Sequence, residues 1–236
     1  MSGRIQSDLE AIRGRIADAA RRVGRDAGEI KLAAVSKTHP TEILRDAIAA
    51  GAAILGENKV QEAEPKILAI GRTAAEWHLI GHLQSNKARR AVQLFDVVQS
   101  LDSIELARRL ERICVEEGRE TLPVFVQVDL AGESTKAGLS ENDLAPLVEY
   151  LRGCKCLRFN GLMTLPPFFD DAESTRPYFK RLRSIRDGLA GQRAFANGRG
   201  ELSMGMSHDF EVAIEEGATV VRVGTAIFGE REIHRG

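Results

Sequence analysis

Short apolar runs alternate with amphipathic stretches along the whole chain, no Gly/Ser/Pro-rich linker interrupts them, and polar residues gather after nearly every run. Together these observations predict an α/β protein, one (β/α)₈ TIM barrel with an extra N-terminal helix, as a single domain over residues 1–236. An open doubly wound sheet would share the alternation. It would leave the polar run ends unexplained.

The elements follow in order. Ile5, Leu9, Ile12, Ile16, Ala19 and Val23 recur at steps of three and four, which predicts an amphipathic helix over residues 4–23. Leu32 to Ser36, apolar as far as Val35, reads as a parallel strand covered on both faces. Pro40 and Thr41 then open a helix carrying Ile43, Leu44, Ala47 and Ile48, and Gly51 closes it before a second strand over residues 53–56. The same reading places helices near residues 59–71, 85–94, 103–118, 141–152, 172–190 and 209–217. It places strands near residues 77–82, 96–100, 123–129, 158–164, 201–206 and 219–223.

Composition narrows the function. With 33 basic against 34 acidic residues, the net charge is −1 and no nucleic-acid partner is expected. Arg21-Arg22 and Arg108-Arg109 lie among acidic residues on helical stretches, so they read as solvated faces. The N-terminus lacks the apolar core of a signal peptide, and no apolar run approaches the roughly 20 residues that cross a bilayer, so a cytoplasmic location and no membrane partner are expected. Cys114, Cys154 and Cys156 are too few for a disulfide framework and complete no zinc site, so they read as reduced and structural. A closed barrel has no free sheet edge, so the expected state is a monomer or weak dimer.

The polar run ends are Ser36-Lys37, Glu57-Asn58, His82, Ser100 to Asp102, Asp129, Met163-Thr164, Ser207-His208 and Arg222 to Thr225. In a barrel they share the mouth where active sites of this fold lie. Strand starts such as Lys31, Thr121, Arg158 and Glu201 occupy the opposite rim, a mixture assigned to solubility. A lysine that ends a strand most often marks only the arrival of the chain at solvent. Lys37 gains meaning from two glycine-bearing strand ends, Ser203 to Ser207 and Arg222 to Thr225, at the seventh and eighth strands, where barrels of this kind bind phosphate. Their glycines admit a backbone close to an anion, and Ser207 and Thr225 offer hydroxyls. A phosphate cradle facing a strand-end lysine suggests pyridoxal 5′-phosphate, held at one end by Ser207, Gly224 and Thr225 and at the other as a Schiff base on Lys37, which needs a depressed pKa and a semi-dry pocket. Arg222 shares its strand face with Val220 and Gly224 and so points inward, where a permanent positive charge beside the ring nitrogen would weaken the ring as an electron sink.

The stretches VSKTHP, GENKVQE, WHLIGHLQSNK, VQSLDS, GESTKAGL, GLMTL and SMGMSHDFEVAIEEGATVVRVGTAIFGER, spread from about residue 30 to residue 231, resemble the pyridoxal phosphate homeostasis protein family. The resemblance implies a barrel of the alanine-racemase N-terminal-domain type without the second β-domain of true racemases. It also implies a pyridoxal phosphate-binding protein that keeps the cofactor's supply in balance, a carrier or buffer with cofactor-dependent apoenzymes as candidate partners. Residue by residue, Lys37 matches the cofactor lysine, Arg222 the residue facing the pyridine nitrogen, Ser207, Gly224 and Thr225 the phosphate cradle, and Asn58 an asparagine lining the ring. His82 and Met163 lie at matching strand ends, either as contacts or as packing. Asp129 departs from the asparagine expected in many relatives, which touches only local loop contacts.

Two enzymatic readings compete. A racemase needs acid/base groups on both faces of the bound ring, and relatives with that activity take a tyrosine from their second domain. The tyrosines here, Tyr150 and Tyr178, fall in helices expected to lie outside the barrel and far from the mouth. His39, His82 and His208 near the mouth leave room for a weak racemase-like activity. A Schiff-base aldolase is a more distant alternative, since it would not need phosphate loops opposite Lys37. The expectation is a protein without a dedicated catalytic residue and without metal.

Overall fold

The computed structural model describes residues 2–132 and 137–229. The middle of GESTKAGL and the last two residues of the final motif lie outside the described residues. Eight parallel strands close into a barrel in sequence order: β1 (Lys31–Val35), β2 (Ile54–Glu57), β3 (Glu76–Leu79), β4 (Val97–Leu101), β5 (Leu122–Gln127), β6 (Leu157–Met163), β7 (Glu201–Met206) and β8 (Val220–Val223). Closure is made by β1 on β8, with Ala33 opposite Arg222 and Ala34 opposite Val223. The outer layer is α1 (Ser2–Arg22), α2 (Thr41–Ala49), α3 (Val60–Ile70), α4 (Ala88–Leu94), α5 (Ile104–Glu116), α6 (Leu144–Arg152), α7 (Arg176–Gly191), α8 (Phe210–Glu215) and α9 (Thr225–Phe228).

Alternation along each strand divides the core in two. Ala33, Ile54, Val97, Phe125, Met163 and Val220 fill the barrel interior. Their neighbours in sequence, such as Ala34, Leu55, Val98, Val126, Leu162 and Val221, face the helices. Met163 is therefore interior packing and not a mouth contact. The register slips at three joins: β4 against β5 between Val98 and Leu101, β5 against β6 between Val124 and Phe125, and β7 against β8 between Ser203 and Met206.

α1 buries Ile5, Leu9, Ile12, Ile16, Ala19 and Ala20 against α2, α8 and α9. Each fully buried leucine or isoleucine of that stripe contributes about 2 kcal/mol. Because α8 has only six residues, α1 covers barrel wall that a longer helix would cover, and Arg15–Glu211 and Arg22–Glu215 ion pairs fix the join. Val23, expected to finish the stripe, falls past the helix end and is 42 % exposed.

The predicted elements are all present, with shifted ends. The helices expected to begin at residues 85, 141 and 172 start with 3₁₀ turns, Ser85–Lys87, Glu141–Asp143 and Ala172–Thr175. Asp171 accepts from the Glu173 N–H at 3.1 Å, and Pro177 sits in the first turn of α7, so local side chains decide where the α-helix starts. Strand three ends at Leu79 and not at residue 82. The short helix α9 was not foreseen, because four residues carry no readable period. Cys114, Cys154 and Cys156 are free thiols, and burial pushes Cys114 up to about 12 and Cys154 to about 11, which keeps both protonated and inert. Among the described residues no helix is long and apolar enough to cross a membrane, and no His/Cys/Asp/Glu group is arranged to hold a metal.

Candidate functional site

The site grows from the C-terminal end of β1. Ser36 is fully buried and lies on the outer face of the sheet, whereas Lys37 follows the inward series of Ala33 and Val35 and is half-buried at the mouth. Thr38 then takes φ +68°, a left-handed backbone that a β-branched residue adopts only under strain, and His39 N–H bonds back to the Ser36 carbonyl at 3.2 Å. The turn thus holds the backbone around Lys37 in one shape.

A buried ion pair fastens that backbone from behind. Lys66 of α3 donates to Glu57 Oε1 at 2.8 Å and to the Ser36 carbonyl oxygen at 2.9 Å, and Ser36 Oγ donates to the same Glu57 oxygen at 2.7 Å. Glu57 is fully buried and the Lys66 side chain is 10 % exposed. The carbonyl gripped by Lys66 belongs to the peptide that leads into Lys37.

Continuing the β1–β2 register, in which Val35 faces Gly56, sets Lys37 opposite Asn58. Asn58 is half-buried, and its backbone is met closely by Gly81: a Cβ on residue 81 would stand 2.3 Å from the Asn58 carbonyl oxygen. Only glycine allows this approach. His82, one residue on, is 56 % exposed and bonded through Nδ1 to Asp102 at 3.1 Å, so it stands on the rim. Asp129 accepts from the N–H groups of Ala131 and Gly132 at 3.0 and 3.2 Å, the local loop role expected of it.

On the other side of Lys37, β8 places Gly224 against Val35, with a Cβ at residue 224 only 3.2 Å from the Val35 Cβ. Gly224 N–H donates to Ser207 Oγ at 3.2 Å, which joins the two glycine-bearing loops, and exposed Thr225 opens α9. Phe228 of α9 lies against His39, ring centroids 4.9 Å apart, closing the wall beside Lys37. Gly205 holds φ +92°, and a Cβ there would meet Ala213 Cβ at 2.6 Å, so the β7 loop can pack on α8 only with glycine.

Arg222 is inward and 3 % exposed. Its Nη1 donates to Ser203 Oγ at 2.6 Å and its Nη2 to the Thr164 carbonyl at 2.9 Å. Burial pulls its pKa down to about 10, opposed by the charge of Asp209, so it remains a cation at neutral pH. Asp209 is itself buried and accepts from Met206 N–H at 2.6 Å; burial raises its pKa, while that bond and the Arg222 charge oppose the rise.

All six residues expected to hold a cofactor, Lys37, Asn58, Ser207, Arg222, Gly224 and Thr225, therefore lie at or just beneath one mouth. The sequence reading missed Ser203, Asp209 and Lys66 as supports. Ser203 was detectable, since it alternates inward two residues before Gly205, but its partner Arg222 lies on another strand. Tyr150 lies outside, in α6, facing Arg108 of α5. Tyr178 is also on an outer helix, yet in the first turn of α7 against Phe169, nearer the mouth's level than expected.

A closed barrel whose mouth sets a lysine beside two glycine-bearing loops, above a buried arginine, belongs to the class described as alanine racemase, N-terminal domain, and residues 7–232 match that family. The chain is 42 % identical to the pyridoxal phosphate homeostasis protein of Aquifex aeolicus (strain VF5), an alignment covering 95 % of this chain and 97 % of the relative. It is 38 % identical to the protein of that name from Escherichia coli (strain K12), over 97 % of each chain. The structure of PipY from Synechococcus elongatus PCC7942, solved with PLP bound, superposes with a TM-score of 0.83 at 39 % identity, over 95 % of this chain and 100 % of that one. The chain belongs to the pyridoxal phosphate homeostasis protein family.

Proposed function

We propose that this chain binds pyridoxal 5′-phosphate at the barrel mouth and acts as a carrier or buffer of the cofactor, with Lys37 as the amine that joins it as a Schiff base. The observation that carries the reading is the juxtaposition of half-buried Lys37 with the Ser207–Gly224 junction across the β1–β8 seam. The donor set suits the group: hydroxyls and backbone N–H groups for phosphate oxygens, an amine for an aldehyde, and a buried cation for a ring nitrogen. When bound, the cofactor supplies an aldehyde that condenses with an amine and a ring that can accept electrons.

The chain's own residues then divide the work. Ser207, Gly224 and Thr225 orient the phosphate end, and Asn58 lines the ring opposite Lys37. Arg222 presents a permanent charge to the ring nitrogen and keeps protons off it, so the ring draws electrons less strongly. That arrangement favours holding the cofactor over turning it against substrates.

Titration of the purified protein with pyridoxal phosphate tests the reading, and saturable binding with a yellow chromophore is expected. The pair Ser207→Ala with Thr225→Val should weaken affinity by about 10-fold or more, two charge-assisted bonds to phosphate being lost. Unchanged affinity in that variant would mean the cradle is elsewhere.

The His82–Asp102 pair on the rim favours a second reading, a weak amino-acid racemase in which His82 moves a proton. Incubation of the cofactor-loaded protein with a panel of amino acids separates the two. Turnover near about 10 per second, an ordinary enzymatic rate, would establish the racemase; the carrier reading expects only traces, together with reactivation of a pyridoxal phosphate-dependent apoenzyme.

A further inference from the structure

A chain of buried polar side chains runs through the barrel interior from Arg222 to the opposite rim. Arg222 Nη1 donates to Ser203 Oγ at 2.6 Å, and Ser203 Oγ donates to Gln99 Oε1 at 2.5 Å. Gln99 Nε2 lies 2.6 Å from His78 Nδ1, and His78 Nε2 lies 3.0 Å from Glu76 Oε1. Ser203 and Gln99 are fully buried and His78 is 2 % exposed, whereas the Glu76 side chain is 45 % exposed at the start of β3. We propose that Ser203, Gln99 and His78 are positioning residues, a one-way hydrogen-bond relay that orients the Arg222 guanidinium for the cofactor ring and ties it to the Glu76 carboxylate on the far rim. The assignment of Arg222 to the ring rests on the function proposed above; the relay itself does not.

With His78 neutral, the direction of every bond is dictated from both ends. An ionised carboxylate only accepts, and the bond from His78 holds Glu76 below the usual carboxylate range, so His78 Nε2 carries the proton. A neutral imidazole then leaves Nδ1 as an acceptor, which only the amide nitrogen of Gln99 can satisfy. That turns Gln99 Oε1 toward Ser203, whose hydroxyl must donate to it and so keeps its lone pairs for Arg222, a group that only donates. If the Gln99 amide were reversed, its Nε2 would donate to Ser203, Nδ1 would have to donate as well, and the serine proton would lose its acceptor here.

The charges around the relay agree with this polarity. At the Arg222 end Asp209 faces the guanidinium, and the Thr164 carbonyl fixes Nη2. At the Glu76 end the charge of Lys31 reaches the carboxylate, and Lys31 itself pairs with Glu201 at 3.0 Å. Among apolar interior side chains such as Ala33, Ile54, Val97, Phe125, Met163 and Val220, a buried glutamine and histidine each require hydrogen-bond partners, which the relay supplies. The rim read from sequence as a solubility feature is thus the anchor of the arginine under the mouth.

Two measurements test the relay. In cofactor-free protein labelled with ¹⁵N-histidine, the relay requires His78 as the neutral Nε2–H tautomer, and Gln99→Glu, which cannot donate to Nδ1 when ionised, should place a proton on Nδ1 as well. A wild-type His78 protonated on Nδ1 would overturn the relay whether or not the protein binds pyridoxal phosphate. In cofactor-loaded protein, Gln99→Leu should move the pH midpoint of the bound chromophore in the same direction as Arg222→Lys and by about threefold or more in proton affinity, a change that loss of packing alone does not produce. Ser203→Ala, a smaller change, gives the same reading if Gln99→Leu does not fold. A folded variant with the wild-type spectrum and midpoint would refute the positioning role; failure of the wild type to bind pyridoxal phosphate would instead remove the function proposed above, and with it the orientation toward the ring, while the tautomer measurement still decides the relay.

Discussion

Borohydride reduction of the protein loaded with pyridoxal phosphate should add one cofactor mass to Lys37, and Lys37→Ala should abolish that covalent gain entirely. The expectation rests on the position of the amine: half-buried, two residues beyond the Val35–Gly224 contact, and on a turn strained at Thr38. A surface lysine also condenses with free aldehyde, but slowly and without preference, because nothing holds the phosphate end. Intact mass and peptide mapping decide the matter. Lys37→Ala should retain weak, non-covalent binding through Ser207 and Thr225, seen by dialysis. If the adduct maps to another lysine, or persists at full stoichiometry in the variant, the assignment of Lys37 is wrong.

Lys66→Met should be among the most destabilising single substitutions in the chain. It leaves the fully buried Glu57 carboxylate without its cation, a situation that costs about 3–5 kcal/mol and lowers the melting temperature by about 10 °C in a domain of this size. Replacing both partners, Glu57→Leu with Lys66→Met, should recover most of the loss, because an apolar pair avoids burying an unpaired charge. Urea unfolding of the two singles and the double closes the cycle. A loss below about 1 kcal/mol in Lys66→Met would show that the carboxylate is relieved in another way. The same variant frees the Ser36 carbonyl, so adduct formation on Lys37 should also slow, a coupling that a purely structural pair would not produce.

Much of the candidate site was legible in the chain. Lys37 before Pro40, Gly224-Thr225 after a β-branched run, and Ser207 after Gly205 each announce themselves locally, because a strand end, a glycine and a hydroxyl are features of neighbouring residues. Arg222 was legible for a related reason: period-two alternation with Val220 forces it inward. The supports were not. Lys66 reads as one more helical lysine until α3 packs it onto β2, and Gln99 and His78 read as polar residues inside strands whose facing partners are set by barrel closure. Glu76 and Glu201, at strand starts, resemble ordinary solvated charges.

The order of strands and helices, the apolar stripe of α1, the free cysteines and the side of β8 that carries Arg222 follow from the sequence alone, since helix and strand periods are local and depend only on spacing. What only the tertiary structure decided is which inward residues meet. Closure brings β8 beside β1 and leaves Arg222 bonded to Ser203 across the β7 bulge and to the carbonyl of Thr164, while Lys66 reaches from a helix to grip the peptide before Lys37. Such contacts join residues far apart in the chain, 104 positions in the case of Gln99 and Ser203. Their cause is the shear and closure of eight strands around a filled interior, a geometric condition on the whole chain that no single stretch contains.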